Sequence, residues 1–297
     1  MVIQASLIRD GSAQVHPFFD PQTSTFSYVV HAEGATGCAV IDSVLQFDMR
    51  SGQVSSAHLE SIARFIESRA LETQWLLETH VHADHLSGAA WLRERVGGRT
   101  GISEKIVDVQ KIFKTIFNLG DDFAADGSQF DHLFTGGETF MIGPLSATAM
   151  SVPGHTPADL AYRMEDDVVF VGDTLFMPDV GTARCDFPGG DAHRLYQSIQ
   201  HILALPPSTR LYMCHDYPPT GRETACLSDV ATELQSNIHV RSAIEGNSFA
   251  TMRNTRDAEL ALPQLFFPAI QANIRGGRMP EAEANGMRYF KLPVVGV

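Results

Sequence analysis

The run HVHADH at residues 80–85 constrains the fold more than any other feature of this sequence. It follows an apolar segment at 74–79 that predicts a strand, and it precedes residues 87–96, which have the pattern of a helix closed by two glycines. On a loop that leaves a strand, the polar side chains of the run can all point to one centre, which a regular helix or strand would not allow. The run therefore predicts a metal site that includes His80, His82, Asp84 and His85.

Three further ligand-type side chains stand at the ends of other predicted strands. His155 lies in the turn-forming sequence PGHTP, Asp173 follows the apolar run 168–171, and His215 follows the run 210–214. Imidazoles and carboxylates that converge from four strand ends are typical of a metal centre. An isolated histidine is ordinarily hydrogen-bonded or exposed, and we expect this of His31, His58, His132, His193, His201 and His239.

The rest of the chain alternates between strand and helix patterns. Apolar runs at 26–31 and 38–41 predict a hairpin, and residues 56–70 have a helical period. The alternation predicts an α/β fold in which two packed sheets have helices outside. We expect residues 1–245 to form the domain that carries the site, and 246–297, where Pro and Gly are frequent, to be an irregular extension packed on it. Further predicted elements are strands at 138–142, 145–152 and 160–163, and helices at 191–204 and 223–244.

Charge and composition narrow the classes of partner and location. The 297 residues carry a net charge of −13, which opposes binding to nucleic acid or to an anionic membrane. The four cysteines show no CxxC pairing, so we expect reduced thiols. Met1 to Asp10 lacks the pattern of a secretory signal, and no apolar run reaches the ~20 residues that span a bilayer. We therefore expect a cytoplasmic protein, for which a homodimer is a candidate assembly.

These motifs resemble those of the metallo-β-lactamase superfamily over residues 15–240. The resemblance implies an αββα sandwich of two mixed sheets, with the metal site at one edge. Several segments are also similar to the persulfide dioxygenases of the glyoxalase II-like branch, although Cys185 stands where Thr is usual. Those segments are 79–88, 153–157, 172–176, 181–187, 215–217 and 271–275.

The similarity to persulfide dioxygenases implies oxidation of glutathione persulfide by O2 to sulfite and glutathione. It also implies one mononuclear non-haem Fe(II) per chain, with Zn(II) as the alternative metal. The ligands would be His80, His155 and Asp173, a two-histidine, one-carboxylate set that leaves positions open for both reactants. Four other residues would orient the ligands or form a second metal position: His82, Asp84, His85 and His215. Expected catalytic residues are Tyr217, His82 and Asp84, and expected substrate contacts are Arg184, Tyr217, Arg275 and Thr156.

Two alternatives remain open from the sequence. A hydroxyacylglutathione hydrolase of the glyoxalase II kind would use a dinuclear metal site, and every ligand that such a site needs is present. A non-catalytic metal-binding module is the other alternative, against which the intact ligand set argues.

Overall fold

The structure, a computed structural model, describes residues 13–165 and 167–294. The expectation that Met1 to Asp10 carries no secretory signal lies outside these residues. The described strands are β1 Ala13–Asp20, β2 Thr25–Ala32, β3 Gly37–Ile41, β4 Val44–Asp48, β5 Gln53–Ser55, β6 Glu72–Leu77, β7 Leu86–Ser87, β8 Arg99–Ser103, β9 His132–Phe134, β10 Glu138–Ile142, β11 Leu145–Ser151, β12 Leu160–Met164, β13 Val168–Phe170, β14 Arg210–Tyr212 and β15 Leu227–Asp229. The described helices are α1 Ala57–Ser68, α2 Ala89–Val96, α3 Ile106–Ile116, α4 Ala192–Leu203, α5 Val230–Ser236, α6 Gly246–Asp257 and α7 Phe266–Asn273. No described helix has the length and apolar character needed to cross a membrane.

Two mixed six-stranded sheets form the centre of the fold. The first has the strand order β1-β2-β3-β6-β8-β9, and the second has the order β10-β11-β12-β13-β14-β15. In the first sheet, β1, β2 and β3 are antiparallel and the strands from β3 onward are parallel. The predicted hairpin is confirmed, since Tyr28 pairs with Ile41 and His31 with Cys38.

Side-chain alternation along the strands creates three apolar layers. Val30 and Phe170 belong to the cluster between the sheets. Their neighbour Val29 instead packs with α1 and α2, and Val169 packs with α4 and α6. A strand directs successive side chains to opposite faces, so both sheets bury both faces, which stabilises a sandwich with helices outside. The predicted αββα architecture is confirmed.

The strand ends place the ligand-type residues at one edge of the sandwich. The histidine run follows β6, His155 follows β11, Asp173 follows β13 and His215 follows β14. A small sheet of the order β5-β4-β7 joins this edge, since Leu45 of β4 pairs with Leu86, directly after the histidine run.

The predicted long helix at 223–244 is wrong. Residues Leu227–Asp229 instead pair with β14, and α5 begins only after them. Asp229 has an extended backbone and its side chain accepts a hydrogen bond from the Thr232 amide, which is the geometry of a helix N-cap. Asn237 ends the helix in an extended conformation, where its side-chain oxygen accepts from the amides of His239 and Val240.

The expectation of an irregular C-terminal extension is also wrong in part, because α6 and α7 lie within it. Helix α6 is hard to recognise from sequence since its buried face includes the charged residues Arg253 and Asp257. Helix α7 has Pro268 in its first turn, where a proline needs no intrahelical hydrogen bond. Its buried Ala269 and Ala272 belong to the same apolar cluster as α1 and α2, so the segment packs directly on the sandwich.

Candidate metal centre and substrate cavity

In the described part of the chain, four overlapping groups of ligand-type atoms lie at the sheet edge; two include the buried Cys214, and the other two consist of histidine and aspartate alone. His80, His155 and Asp173 form one group, whose ligand atoms all lie within 4.8 Å of one another. The second group satisfies the same limit and consists of His82, Asp84, His85 and His215. The structure thus brings together all seven residues that the sequence singled out as metal ligands.

Asp173 lies between the two groups and faces both. Its Oδ2 is 3.9 Å from His80 Nε2 and 3.7 Å from His155 Nε2, and its Oδ1 is 3.4 Å from His215 Nε2. These separations exceed an ordinary hydrogen bond. Two ligand atoms that share an ion, each about 2.1 Å from it, lie roughly 3.0 to 4.2 Å apart, depending on the angle between the two bonds. The spacing therefore suits donor atoms around a metal better than it suits direct hydrogen bonds.

In each imidazole of the cluster, the nitrogen that points away from the other ligand-type atoms (the outward nitrogen) contacts a polar group that fixes the ring. The other nitrogen, here called the inward nitrogen, faces the cluster. Where that partner is a carbonyl or carboxylate oxygen, the outward nitrogen must donate, so in the neutral ring the inward nitrogen carries the lone pair that a metal needs. The pairs are His80 Nδ1 with Thr79 Oγ1 (3.0 Å), His82 Nε2 with Asp42 Oδ1 (3.0 Å), His85 Nδ1 with the Leu86 carbonyl (3.3 Å), His155 Nδ1 with the Arg184 carbonyl (2.7 Å) and His215 Nδ1 with the Ser24 carbonyl (3.3 Å).

The inward atoms are buried and lack hydrogen-bond partners. They are His80 Nε2, His82 Nδ1, His85 Nε2, His215 Nε2, Asp84 Oδ2 and Asp173 Oδ1. A buried polar atom without a partner costs about 1 to 3 kcal/mol, so a native fold rarely leaves several together unless something else satisfies them. Imidazole nitrogen and carboxylate oxygen are ligands for Fe(II) and for Zn(II). The residues present therefore fit a metal of this class.

Asp42 and Glu78 form an acidic support behind His82. Asp42 directly follows β3 with a φ of +50° and accepts hydrogen bonds from the Thr79 amide and hydroxyl, while Glu78 Oε2 lies 3.4 Å from His82 Nε2. Burial alone would lower the pKa of His82, but Asp42 and Glu78 raise it well above its ordinary value. The pKa of His80 is instead held well below its ordinary value, by burial and then by the imidazole of His82. The two histidines of this motif thus sit in opposite electrostatic environments.

Gly154 lets the His155 turn approach helix α4. A Cβ atom on Gly154 would lie 2.3 Å from the backbone of Leu195, which is too close for any side chain. The Gly154 carbonyl also accepts the amide of Asp191, the N-cap of α4. This contact fixes the position from which His155 reaches the metal centre.

A cavity of about 840 Å³ opens from the metal centre to the surface. Asp84, His155 and Asp173 line its inner end. Phe176 and Tyr217 form part of one wall, where the Tyr217 ring stacks on His215 with a centroid distance of 5.8 Å. A volume of this size accommodates a small organic molecule.

The residues expected to contact substrate fall into two sets. Tyr217 and Arg184 line the cavity, but Arg184 is held in a two-point ion pair with Asp186 and also donates to the Ala261 carbonyl. Thr156 and Arg275 are not part of the described cavity wall. Thr156 is fully buried and donates to Asp159, and Arg275 lies over the ring of Phe123 at 4.8 Å.

Asn273 is a site residue that the sequence did not reveal. Its side-chain NH2 donates to the carbonyls of His82 and His85, each at 2.8 Å, and its oxygen accepts the Ser87 amide at 2.7 Å. The C-terminal helix α7 thereby holds the middle and the C-terminal end of the histidine run. A conspicuous asparagine is a weak signal, because its partners lie some 190 residues earlier in the chain.

Helix α6 supports the opposite side of the centre through a buried ion pair. Arg253 Nε donates to Asp257 Oδ1 at 2.8 Å, and Asp257 Oδ2 accepts the Cys185 amide at 2.7 Å. The next residue toward the N-terminus, Arg184, provides the carbonyl that binds His155 Nδ1. Cys185 itself is buried, and burial raises the pKa of its thiol well above the ordinary value. Cys185 is therefore better described as a packed side chain than as a reactive thiol.

Comparison with known proteins assigns the chain to a family. The sequence matches the family described as the metallo-beta-lactamase superfamily over residues 20–215. A probable metallo-hydrolase of Burkholderia pseudomallei is 50% identical, over 94% of this chain and 98% of its own length. A protein of Dictyostelium discoideum named glyoxylase B2 is 46% identical, over 95% of this chain and 97% of its own.

More distant matches carry a different activity name. The mitochondrial persulfide dioxygenase ETHE1 of Bos taurus is 24% identical, over 87% of each chain. The crystal structure of ETHE1 from Myxococcus xanthus superposes with a TM-score of 0.70 and 26% identity, covering 89% of this chain and 99% of that one. The match over residues 20–215 includes every ligand-type residue described above. The chain belongs to the metallo-beta-lactamase superfamily, and within it resembles the branch that contains the persulfide dioxygenases.

Proposed function

We propose that this protein is a persulfide dioxygenase that oxidises glutathione persulfide at a single iron ion. The observation that carries the proposal is the set His80, His155 and Asp173, two imidazoles and one carboxylate whose ligand atoms converge where the cavity ends. Three ligands of this kind leave open positions on an iron ion. Similarity to ETHE1 over nearly the full length of that chain supports the same choice.

The overall reaction balances with water as the third reactant. Persulfide, dioxygen and water give the free thiol and sulfurous acid, which ionises to sulfite. The outer sulfur is oxidised, dioxygen is reduced, and the bond between the two sulfur atoms breaks. Fe(II), when bound, would supply the redox chemistry, with Zn(II) unable to replace it in this reaction.

The protein residues hold, orient and shield the reactants. Hydrogen bonds to Thr79 and to the Arg184 carbonyl fix the rings of His80 and His155, so these ligands need not reorganise during the reaction. Tyr217 lies in the cavity wall and can donate its hydroxyl to a bound sulfur or oxygen. Asp84, whose Oδ2 has no hydrogen-bond partner, faces the cavity and can hold the water or accept its proton. His82 would keep its ring in place through Asp42 and Glu78.

A hydroxyacylglutathione hydrolase is the second candidate, and two observations favour it. The group formed by His82, Asp84, His85 and His215 is as compact as the first, and Asp173 faces both groups as a bridging carboxylate would. The 46% identical Dictyostelium protein carries the name glyoxylase B2. In that reaction, two metal ions would activate a water molecule that cleaves the thioester.

Metal analysis combined with two activity assays separates the candidates. Protein purified without added metal is analysed for iron and zinc, then tested for oxygen uptake with glutathione persulfide and for hydrolysis of lactoylglutathione. The dioxygenase proposal predicts one iron per chain, oxygen uptake with sulfite formation, and no hydrolysis. Two metal ions per chain with thioester hydrolysis and no oxygen uptake would replace it by the second candidate.

The proposal extends to the compartment. Cys38, Cys185, Cys214 and Cys226 are all free thiols in the structure. Free thiols suit a reducing compartment, so we place the reaction in the cytoplasm. The candidate homodimer stays a prediction.

A further inference from the structure

The cavity mouth combines exposed apolar side chains with two arginines. Met49 and Arg50 lie on the turn after β4, and Arg256, Leu260 and Leu262 lie at and beyond the end of α6. Met49, Leu260 and Leu262 are 44%, 47% and 55% exposed, which is unusual for large apolar residues. The turn after β4 and the segment after α6 thus form a mouth with both apolar and cationic character.

The arginines of the cavity differ in whether an acidic partner neutralises them. Arg184 is paired with Asp186, and Arg253 is paired with Asp257. Among the described residues, the guanidinium groups of Arg50 and Arg256 have no ion pair and no hydrogen bond. Asp48 forms no ion pair with Arg50, although hydrogen bonds from the Ser51 and Arg50 amides, and to a smaller extent the Arg50 charge, lower the pKa of its carboxyl.

Arg256 lies close enough to the cavity wall to act on a histidine there. His239 also lines the cavity, and its pKa is lowered to about 4 by burial and then by Arg253 and Arg256. The chain as a whole carries a net charge of −13. Four aspartates also line the cavity, but Asp84 and Asp173 lie at the metal centre and Asp186 is paired with Arg184. Arg50 and Arg256 therefore outnumber Asp48 at the mouth, and this local excess of positive charge attracts anions.

We infer that Arg50 and Arg256 form a carboxylate-binding subsite that selects a thiol carrier with two carboxylates. A guanidinium binds a carboxylate through paired, charge-assisted hydrogen bonds, so two unpaired guanidinium groups suit two carboxylates. The carrier would lie along the cavity with its sulfur toward His155 and Asp173 and its carboxylates at the mouth. Met49, Leu260 and Leu262 would cover its apolar segments. This inference rests on the proposed function only in placing a thiol substrate in the cavity.

Calorimetry of glutathione binding to the metal-loaded protein tests the subsite without turnover. Glutathione is compared with its dimethyl ester, in which both carboxylates are neutral, for the wild type, Arg50→Gln, Arg256→Gln and the double variant. We expect each single variant to weaken glutathione binding about tenfold and the double variant to bind acid and ester alike. Arg64→Gln, on the exposed face of α1 and outside the cavity wall, should bind both as the wild type does.

Ester binding supplies the decisive contrast. It should be the same in all variants, because the ester presents no charge to the arginines. Equal glutathione affinity in the wild type and the double variant would overturn the inference, and so would an equal loss for acid and ester. Absence of glutathione binding to the wild type would overturn it as well.

Kinetics separate this inference from the proposed reaction. The KM for glutathione persulfide should rise in the variants with kcat nearly unchanged, since the arginines lie away from the reacting sulfur. If the protein hydrolyses lactoylglutathione and takes up no oxygen, the dioxygenase proposal fails, while arginine-dependent glutathione binding still supports the subsite. Oxygen uptake together with unchanged glutathione affinity in the double variant would support the dioxygenase proposal and overturn the carboxylate-binding subsite.

Discussion

The histidine run at 80–85 and the C-terminal segment at 246–294 serve the same centre in different ways. The run supplies ligand-type atoms, and its chemistry is evident from residue types alone. The C-terminal segment supplies none of those atoms. It contributes Asn273, which holds the run, and part of the cavity mouth. It also contributes the Arg253–Asp257 pair, which binds the Cys185 amide next to the Arg184 carbonyl that His155 contacts.

The difference teaches that two kinds of residue serve a metal centre. Substituting a ligand abolishes metal binding, whereas substituting a residue that supports a ligand lowers metal affinity by degrees. Outer groups of this kind typically change metal affinity by 10- to 100-fold. Removing a ligand should therefore affect activity most, and removing a C-terminal support should affect stability and metal affinity together.

Replacing His155 by alanine should have the largest effect on activity. The variant loses one of the three residues that we propose as iron ligands, and we expect oxygen uptake to fall on the order of 10³-fold, about 4 kcal/mol of transition-state stabilisation. Iron content by elemental analysis should fall as well. His201→Ala, on the exposed face of α4, is the control and should retain both iron and activity. Full iron content and activity in His155→Ala would remove this residue from the proposed ligand set.

Replacing Asp257 by alanine should have the largest effect on folding stability. The variant leaves the buried guanidinium of Arg253 and the Cys185 amide without their acceptor, which we expect to cost about 3 to 5 kcal/mol. Urea unfolding of the metal-free proteins measures this directly. Glu259→Ala, at an exposed position just after the same helix, should change stability by less than about 0.5 kcal/mol. Equal stability of the two variants would show that α6 does not support the centre through this pair.

Replacing Asn273 by alanine should give a smaller loss of stability but a clear loss of metal affinity. Two carbonyls and one amide of the histidine run lose their partner, with an expected cost of about 2 kcal/mol. Competition with a chelator should show metal binding weakened by roughly 10- to 100-fold. The matched control is Asn254→Ala, on the exposed face of α6. A loss of stability with unchanged metal affinity would mean that Asn273 only packs the tail.

Much of the fold could be predicted because its signals are local. Strands β2, β3 and β6 and helices α1 and α2 follow from apolar periodicity over a few residues, and the ligand run is contiguous. Helix α6 was missed because Arg253 and Asp257 occupy buried positions that an apolar pattern would need. The predicted helix at 223–244, which contains α5, was too long because only the pairing with β14 reveals that residues 227–229 form a strand.

The substrate side of the site depends on information that is not local. Arg184 and Arg50 are the same residue type. Only the structure shows that the guanidinium of Arg184 is already ion-paired with Asp186 and hydrogen-bonded to the Ala261 carbonyl. The role of Asn273 likewise depends on the run that it contacts across the fold. Residue identity therefore predicts which ligand-type side chains converge, whereas it predicts the pairing state of a charged side chain poorly.

A buried carboxyl outside both regions provides the smallest and most specific prediction. Burial raises the pKa of Glu233 in α5 to about 7 from its ordinary 4.5, and Asn237 Nδ2 donates to its Oε2 at 2.7 Å. Because the folded state binds this proton more tightly than the unfolded state, the contribution of Glu233 to stability is greatest below pH 4.5 and is lost as the pH rises to about 7. Glu233→Gln, which stays neutral, should match the wild type near pH 4.5 and be more stable by about 1 to 2 kcal/mol at pH 8. Urea unfolding of both proteins at the two pH values measures the difference, and Glu165→Gln, on an exposed turn, is the control. A stability difference that does not change with pH would mean that folding does not shift the pKa of Glu233. Metal affinity should be the same in both proteins, because the groups that act on Glu233 include none of the ligand-type residues.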